Sequence, residues 1–213
     1  MEAMAKFIIG IDEVGRGALA GPVAVAAVAV LHELRITNNE LGELRDSKKL
    51  TARQRERWAE HIKSHPKISF AIARVYPRGV EKLNIARAAN LAALRAFRKL
   101  IASRQSLIAK CKVILDGGLY LGNGKNPLTG SGRMTVKTII RGDEKFTAVK
   151  LASIVAKVSR DRYMVKLHKQ YPQYGFAVHK GYGTKMHYAA LHAHGPSEAH
   201  RLSFLRTLAI KRA

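Results

Sequence analysis

The sequence predicts an α/β fold, a mixed sheet flanked by helices with a helical extension at the C-terminal end. Three observations carry this reading. Two apolar segments, 7–11 and 23–30, stand on either side of a glycine-rich stretch. Further segments of strand character, at 68–76, 113–116 and 135–140, alternate with segments of helical periodicity. After residue 170 only helical patterns remain.

Segments 7–11 and 23–30 show little polar alternation, as strands covered on both faces do, and their connection suits an antiparallel hairpin with a long loop. Leu50 leads into the TARQ of 51–54, a capping box in which Thr51 and Gln54 satisfy free amides at a helix start, with Leu50 and Trp58 as apolar anchors. This helix is expected to end at His61 or Ser64, before Pro66. Residues 68–76 alternate and form a third strand. Leu83, Ala86, Asn90, Leu94, Phe97 and Ile101 recur at helical spacing and predict one long helix packed on the sheet. The VILD of 113–116 is a brief buried strand that delivers an acid at its end. A loop rich in Gly, Asn and Pro fills 117–132, and a short strand covers 135–140. A long helix then runs through Leu151, Ile154, Val155 and Val158 to Gln170, where YPQYG stops it. A last helix from Thr184 is closed by Gly195 and Pro196. The division expected is a main domain over 1–170 and an extension over 171–213, part of the same unit.

At 213 residues and 47% hydrophobic content the chain can fill one substantial core. Lys and Arg number 38 against 15 Asp and Glu, a net charge of +23, far beyond what keeps an ordinary domain in solution. The bases are spread along the whole sequence, which points to nucleic acid as the partner, and no apolar run reaches the length of a membrane span. Cys111 is the single cysteine, so there is no internal disulfide and no cysteine zinc cage, and a reducing, cytoplasmic setting is expected. The opening MEAMAK lacks the order of a signal peptide; the apolar run at 23–30 follows a Gly-Pro turn and is read as a strand. A monomer is expected.

In a chain this poor in acids, four stand where a strand end or loop would display them: Asp12 and Glu13 together, Asp116, and Asp143. Carboxylates brought together from neighbouring strands repel one another, and a divalent cation relieves that repulsion. Oxygen-only ligands suit Mg²⁺ or Mn²⁺ rather than zinc. Carboxylate-held metal inside a basic protein points to phosphodiester chemistry, in which two ions about 4 Å apart activate water and stabilise the leaving oxygen. Each acid also has a plainer reading. Asp116 before Gly117 has the form of a turn-former, and Asp143 could pair with Arg141 or Lys145. Asp161, between Arg160 and Arg162, is read as structural. The adjacent pair Asp12 and Glu13 is the hardest to explain without a cation, since neither caps a helix.

The stretch 10–23, GIDEVGRGALAGPV, resembles the opening signature of bacterial ribonuclease HII. The likeness continues in order through DSKKL at 46–50, LDG at 115–117, RGD at 141–143, LASIVAKVSRDR at 151–162, YGF at 174–176, HKGYGT at 179–184 and GPSEAHR at 195–201. The resemblance implies a ribonuclease H-like mixed sheet with a C-terminal helical region. It also implies metal-dependent endonucleolytic cleavage of RNA in RNA–DNA hybrids and at ribonucleotides embedded in duplex DNA, leaving 3′-hydroxyl and 5′-phosphate ends, with roles in ribonucleotide and RNA-primer removal. On it, Asp12, Glu13, Asp116 and Asp143 match the four metal-binding, catalytic carboxylates. Gly15, Arg16 and Gly17 match the loop that reads the ribonucleotide, and Tyr182 matches the tyrosine at the RNA–DNA junction. Lys48 or Lys49 would contact phosphate. Ala18 stands where the family usually has proline, which loosens the loop without removing a functional group. The sister type, ribonuclease HIII, typically carries an extra N-terminal domain and lacks the arginine of GRG.

The loop also has a physical reading. Glycines let backbone approach a ligand, and a 2′-hydroxyl donates and accepts, so backbone groups at close range can tell RNA from DNA. His187, His192 and His194 lack the spacing of a metal-binding helix and are expected at the surface facing nucleic acid, while His179 and Lys180, beside Tyr182, are expected to contact phosphate. No sliding-clamp peptide is evident in 203–213. The rivals to a nuclease are a non-catalytic basic nucleic-acid-binding protein and a ribonuclease H-like enzyme acting on DNA alone.

Overall fold

The computed structural model describes residues 7–32, 34, 41–44, 47–103, 111–121 and 134–206. Its strands are β1 (Phe7–Val14), β2 (Val23–Leu31), β3 (Ile68–Val75), β4 (Cys111–Asp116) and β5 (Met134–Ile139). They form one mixed sheet in the order β3-β2-β1-β4-β5. The expected hairpin is present, with β1 and β2 antiparallel from Phe7 opposite Leu31 to Val14 opposite Ala24. β3 continues the antiparallel meander, whereas β4 and β5 run parallel to β1.

Both faces of β1 and β2 are covered, which is why their sequences barely alternate. On one face Ile9, Ile11, Val23, Val25 and Ala27 pack against α3 (Ile85–Ser103) through Ala88, Ala92, Ala96 and Phe97. The small alanines let this helix lie close to the sheet. On the other face Ala26 and Val28 meet Trp58 and Ile62 of α1 (Ala52–Ser64) and Leu151, Ile154 and Val155 of α5 (Thr147–Gln170). Gly10 is what lets α5 settle on the central strand. A β-carbon there would lie 2.2 Å from the Ala148 carbonyl carbon.

The Thr51 capping box forms as expected: Gln54 donates its amide to Thr51 Oγ1 at 3.2 Å and Thr51 donates its own to Gln54 Oε1 at 2.8 Å. The long helix expected from Leu83 forms as α3, and a short helix that was not expected, α2 (Pro77–Leu83), precedes it. Asn84 separates them with φ 66, a left-handed conformation that asparagine tolerates, and its Oδ1 accepts the Arg87 amide at 3.1 Å. The apolar period continues through this break, so periodicity alone could not reveal it. A further short helix, α4 (Gly142–Lys145), connects β5 to α5 and has too few residues to show a period.

Beyond α5 lie α6 (Phe176–His179) and α7 (Lys185–His194), the latter capped by Thr184 and closed at Gly195. A third core joins Tyr174, Phe176, Leu191, Ala199 and Leu205 to Met164 and Leu167 of α5 and to Leu19 and Ala20 of the loop after β1. Residue 170 ends α5, but the packing draws from both sides of it. Of the loop expected over 117–132, residues 122–132 lie outside the described residues, as do 207–213 of the C-terminal segment.

Candidate active site

The central strand carries two acids out of its C-terminal end. Ile11 pairs with Leu115 of parallel β4, so Asp12 and Asp116 leave neighbouring strands together. Ile9, Ile11, Val113 and Leu115 face the α3 core, so by alternation Asp12 and Asp116 face the α5 side. Asp143 arrives on α4. The residue before that helix, Arg141, turns the chain with φ 56, and the Gly142 amide donates to Asp116 Oδ1 at 2.6 Å. One carboxylate oxygen from each of Asp12, Asp116 and Asp143 lies within 4.8 Å of the others.

Glu13 stands beside this trio with its carboxylate turned toward Arg16, whose Nη1 lies 3.1 Å from Glu13 Oε1. Glu13 Oε2 is buried without a hydrogen-bond partner. Burial pushes the Asp12 carboxyl well above the usual range; Glu13 and Asp116 add to this, while the Ser153 hydroxyl and the Glu13 amide pull it down. Burial also raises Glu13, against the opposing hydrogen bond from Arg16. The three clustered aspartates form an oxygen-only donor set that a hard divalent cation such as Mg²⁺ or Mn²⁺ fits, and Glu13 lies outside that cluster.

Lysine reaches the acids at one of the two expected positions. Lys48 Nζ lies 3.9 Å from Asp143 Oδ2, whereas among the described residues Lys49 forms no ion pair with these acids. The turn carrying Lys48 (Ser47–Lys49) is fastened to the site by two buried hydroxyls, with Ser47 Oγ 2.7 Å from Ser153 Oγ. The Ser153 hydroxyl also lies close enough to Asp12 to oppose the rise of its pKa.

The loop after β1 is held from beneath. Gly15 takes φ 87, and a β-carbon there would lie 2.2 Å from Arg160 Nε. Gly17 is exposed, with open space where a β-carbon would stand. Leu19 donates its amide to the Gly181 carbonyl at 2.8 Å, which joins the loop to the turn bearing Tyr182. Tyr182 is half-buried, its ring 5.3 Å from the Arg160 guanidinium carbon and 6.0 Å from Lys157 Nζ.

Several expected contacts are not what the structure shows. His179 is buried, with Nε2 2.6 Å from the Tyr174 carbonyl and Nδ1 accepting the Gly181 amide, so both ring nitrogens shape the turn and neither is open to phosphate. Lys180 Nζ folds back onto the Ala177 carbonyl. His187 is fully buried rather than at the surface, while His192 and His194 are exposed. His187 donates from Nδ1 to the Tyr182 carbonyl at 2.9 Å, so its Nε2 accepts from His200 Nε2 at 3.1 Å, and His200 Nδ1 accepts the Ser197 amide. Asp161 pairs with Lys157 at 2.9 Å, the structural role expected of it.

Residues unforeseen in the sequence also surround the site: Ser47, Ser153, Arg160, His200 and Arg201, all buried. Their letters lie inside the matched motifs, but nothing in their spacing distinguishes a buried arginine from one more surface base.

A mixed sheet covered by helices, with aspartates converging beyond its central strand, is a ribonuclease H-like fold. The solved structures agree. Ribonuclease HII of Archaeoglobus fulgidus, in a complex with PCNA, superposes with a TM-score of 0.69 at 24% identity over 97% of each chain. Bst ribonuclease HIII in complex with Mn²⁺ gives 0.73 at 22% identity, covering 95% of this chain and 68% of that one. The Ribonuclease HII family model matches residues 9–207. The chain belongs to the ribonuclease HII family and is a ribonuclease H. It is 44% identical to ribonuclease HII of Coxiella burnetii over 92% of this chain and 87% of that one, and 42% identical to that of Caldicellulosiruptor bescii over 95% and 88%.

Proposed function

We propose that this protein is a divalent-metal-dependent endonuclease that cuts the RNA strand of RNA–DNA hybrids and, in duplex DNA, the bond 5′ of an embedded ribonucleotide, leaving 3′-hydroxyl and 5′-phosphate ends. Such an activity serves removal of ribonucleotides and RNA primers from DNA. The observation that carries the reading is the trio Asp12, Asp116 and Asp143 within 4.8 Å in a chain of net charge +23. A cluster of anions in so basic a protein is suited to a cation shared with phosphate.

Asp12, Asp116 and Asp143 would hold the metal, with Glu13 completing the set through its unpaired oxygen. When bound, Mg²⁺ or Mn²⁺ supplies Lewis-acid polarisation of the phosphate and activation of water. The Asp116–Gly142 bond fixes the carboxylates, the hydroxyls of Ser153 and Ser47 orient Asp12, and Lys48 meets the phosphate from the exposed side. Gly15, Arg16 and Gly17 form the wall against the ribose, and Tyr182 stacks at the RNA–DNA junction. The Mn²⁺ in Bst ribonuclease HIII supports a metal of this class. The PCNA complex of the Archaeoglobus protein leaves a clamp partner open here, because 207–213 lie outside the described residues.

The test is cleavage of a labelled DNA duplex containing one ribonucleotide, with Mg²⁺, Mn²⁺ or EDTA. Metal-dependent incision 5′ of the ribonucleotide supports the reading. Binding without incision would instead mark a non-catalytic nucleic-acid-binding protein, and incision of all-DNA duplex a DNA nuclease.

A further inference from the structure

Two arginines are completely buried at the heart of the loop after β1, and neither forms an ion pair with a described acid. Arg160 donates to the carbonyls of Ala20, Pro22 and Lys180 at 3.1, 3.0 and 2.9 Å. Arg201 donates from Nε and Nη2 to the Gly21 carbonyl at 3.0 and 2.9 Å, and from Nη1 to the Arg16 carbonyl at 2.9 Å. A buried guanidinium is costly unless its donors are satisfied, and these are satisfied by loop backbone instead of by a counter-ion. Burial draws the Arg201 pKa down to about 9, so it stays protonated at neutral pH.

The Arg16 contact has a geometric consequence. The Arg16 carbonyl and the Gly17 amide belong to one peptide plane, and in a trans peptide they point in opposite directions. With the carbonyl pinned inward on Arg201, the Gly17 N–H is directed away from the core. Gly17 is itself exposed, and a β-carbon on it would meet open space. Arg16 is fixed from its other end as well, by its side-chain bond to Glu13.

Resting on the ribonucleotide-directed reading above, we propose that Arg201 is a positioning residue for specificity: through the Arg16 carbonyl it aims the Gly17 amide at the 2′-hydroxyl of the ribonucleotide. DNA offers no acceptor there, so the aimed donor contributes only when the sugar is ribose. The fork is essential to this role. Lysine would keep the positive charge, but its single ammonium cannot hold the Arg16 and Gly21 carbonyls in the fixed planar geometry of arginine.

The test compares wild type with Arg201→Lys in EDTA, measuring dissociation constants for two duplexes that differ only in one ribonucleotide. The expected result is that Arg201→Lys lowers the preference for the ribonucleotide duplex by about fivefold, the worth of one hydrogen bond, with all-DNA binding within about twofold of wild type. A folded variant with the wild-type preference overturns the proposal. A second measurement needs no variant: in ¹⁵N-glycine-labelled wild type, the Gly17 amide resonance should shift with the ribonucleotide duplex and stay in place with the all-DNA duplex. Equal shifts also overturn it. If wild type itself fails to cut the ribonucleotide duplex when metal is supplied, the nuclease reading falls and takes this inference with it. If wild type cuts and Arg201→Lys keeps its preference, this inference falls alone.

Discussion

The Gly142 amide donates to Asp116 Oδ1 at 2.6 Å, and this bond ties the end of β4 to the turn that carries Asp143. Two aspartates that are 27 positions apart in the chain are thus held together by a bond from backbone to carboxylate as well as by the pairing of β4 with β5. Asn at position 116 would keep an oxygen for that bond and lose the charge. Asp116→Asn is expected to fold normally, bind hybrid at least as tightly as wild type, and lose turnover by more than about a hundredfold. Turnover near wild type would remove Asp116 from the metal site.

Ser153→Ala removes the hydroxyl that bonds Ser47 and stabilises the Asp12 carboxylate. Ser47 then has a buried donor without its partner, which costs about 1–3 kcal/mol of stability. The metal concentration giving half-maximal activity should also rise, because Asp12 and the Lys48 turn lose their common anchor. An unchanged metal midpoint in a destabilised variant would reduce Ser153 to a packing residue.

The two glycines of the loop should respond in opposite ways. Gly15→Ala forces a β-carbon onto Arg160 at φ 87 and is expected to lower stability by about 1–3 kcal/mol. Gly17→Ala meets nothing in the free protein and should leave thermal stability within about 0.5 kcal/mol of wild type. It should nevertheless slow cleavage at a single ribonucleotide, because the methyl occupies the space a ribose needs. Full activity of Gly17→Ala would show that no substrate approaches that position.

Tyr182→Ala is expected to slow cutting at a single embedded ribonucleotide far more than cutting of continuous RNA–DNA hybrid, where most sites have no junction. Equal loss on both substrates argues against junction sensing, even if both rates fall.

The buried pair His187 and His200 makes stability depend on pH. Burial drives each ring to about 4, with His179 stacked on His187 and the His187–His200 contact adding repulsion between protonated forms. Both are depressed in the folded state, so the unfolded chain binds more protons between about 6.5 and 4, and stability falls as pH drops through that window. Each ring contributes on the order of 2–3 kcal/mol to that loss by pH 4.5. His200→Gln, which can still donate to His187 and accept from Ser197, should flatten the slope of melting temperature against pH. An identical slope in the variant would place the pH dependence elsewhere.

Strands at 7–11, 23–30 and 113–116 were legible because uniform apolarity and turn residues mark buried strands, the strand at 68–76 because it alternates, and the Thr51 capping box because its partners are three residues apart. The break at Asn84 was hidden, since asparagine in a left-handed conformation leaves the apolar period intact. At the site, Asp12, Asp116 and Asp143 stood out as rare acids at strand ends and turns, and the fold brings them together. Arg160, Arg201 and His187 did not stand out. In a chain with 38 basic residues, burial of a particular one depends on contacts across more than a hundred positions, as between Arg160 and Ala20, and no local pattern encodes them.

The most direct measurement is the cleavage pattern of a DNA duplex with one ribonucleotide, using wild type and Asp12→Asn side by side with Mg²⁺, Mn²⁺ and EDTA. Wild type is expected to make one incision 5′ of the ribonucleotide, ending in a 3′-hydroxyl, abolished by EDTA and by Asp12→Asn while binding persists. Incision that survives EDTA, or that Asp12→Asn performs at the wild-type rate, would contradict it.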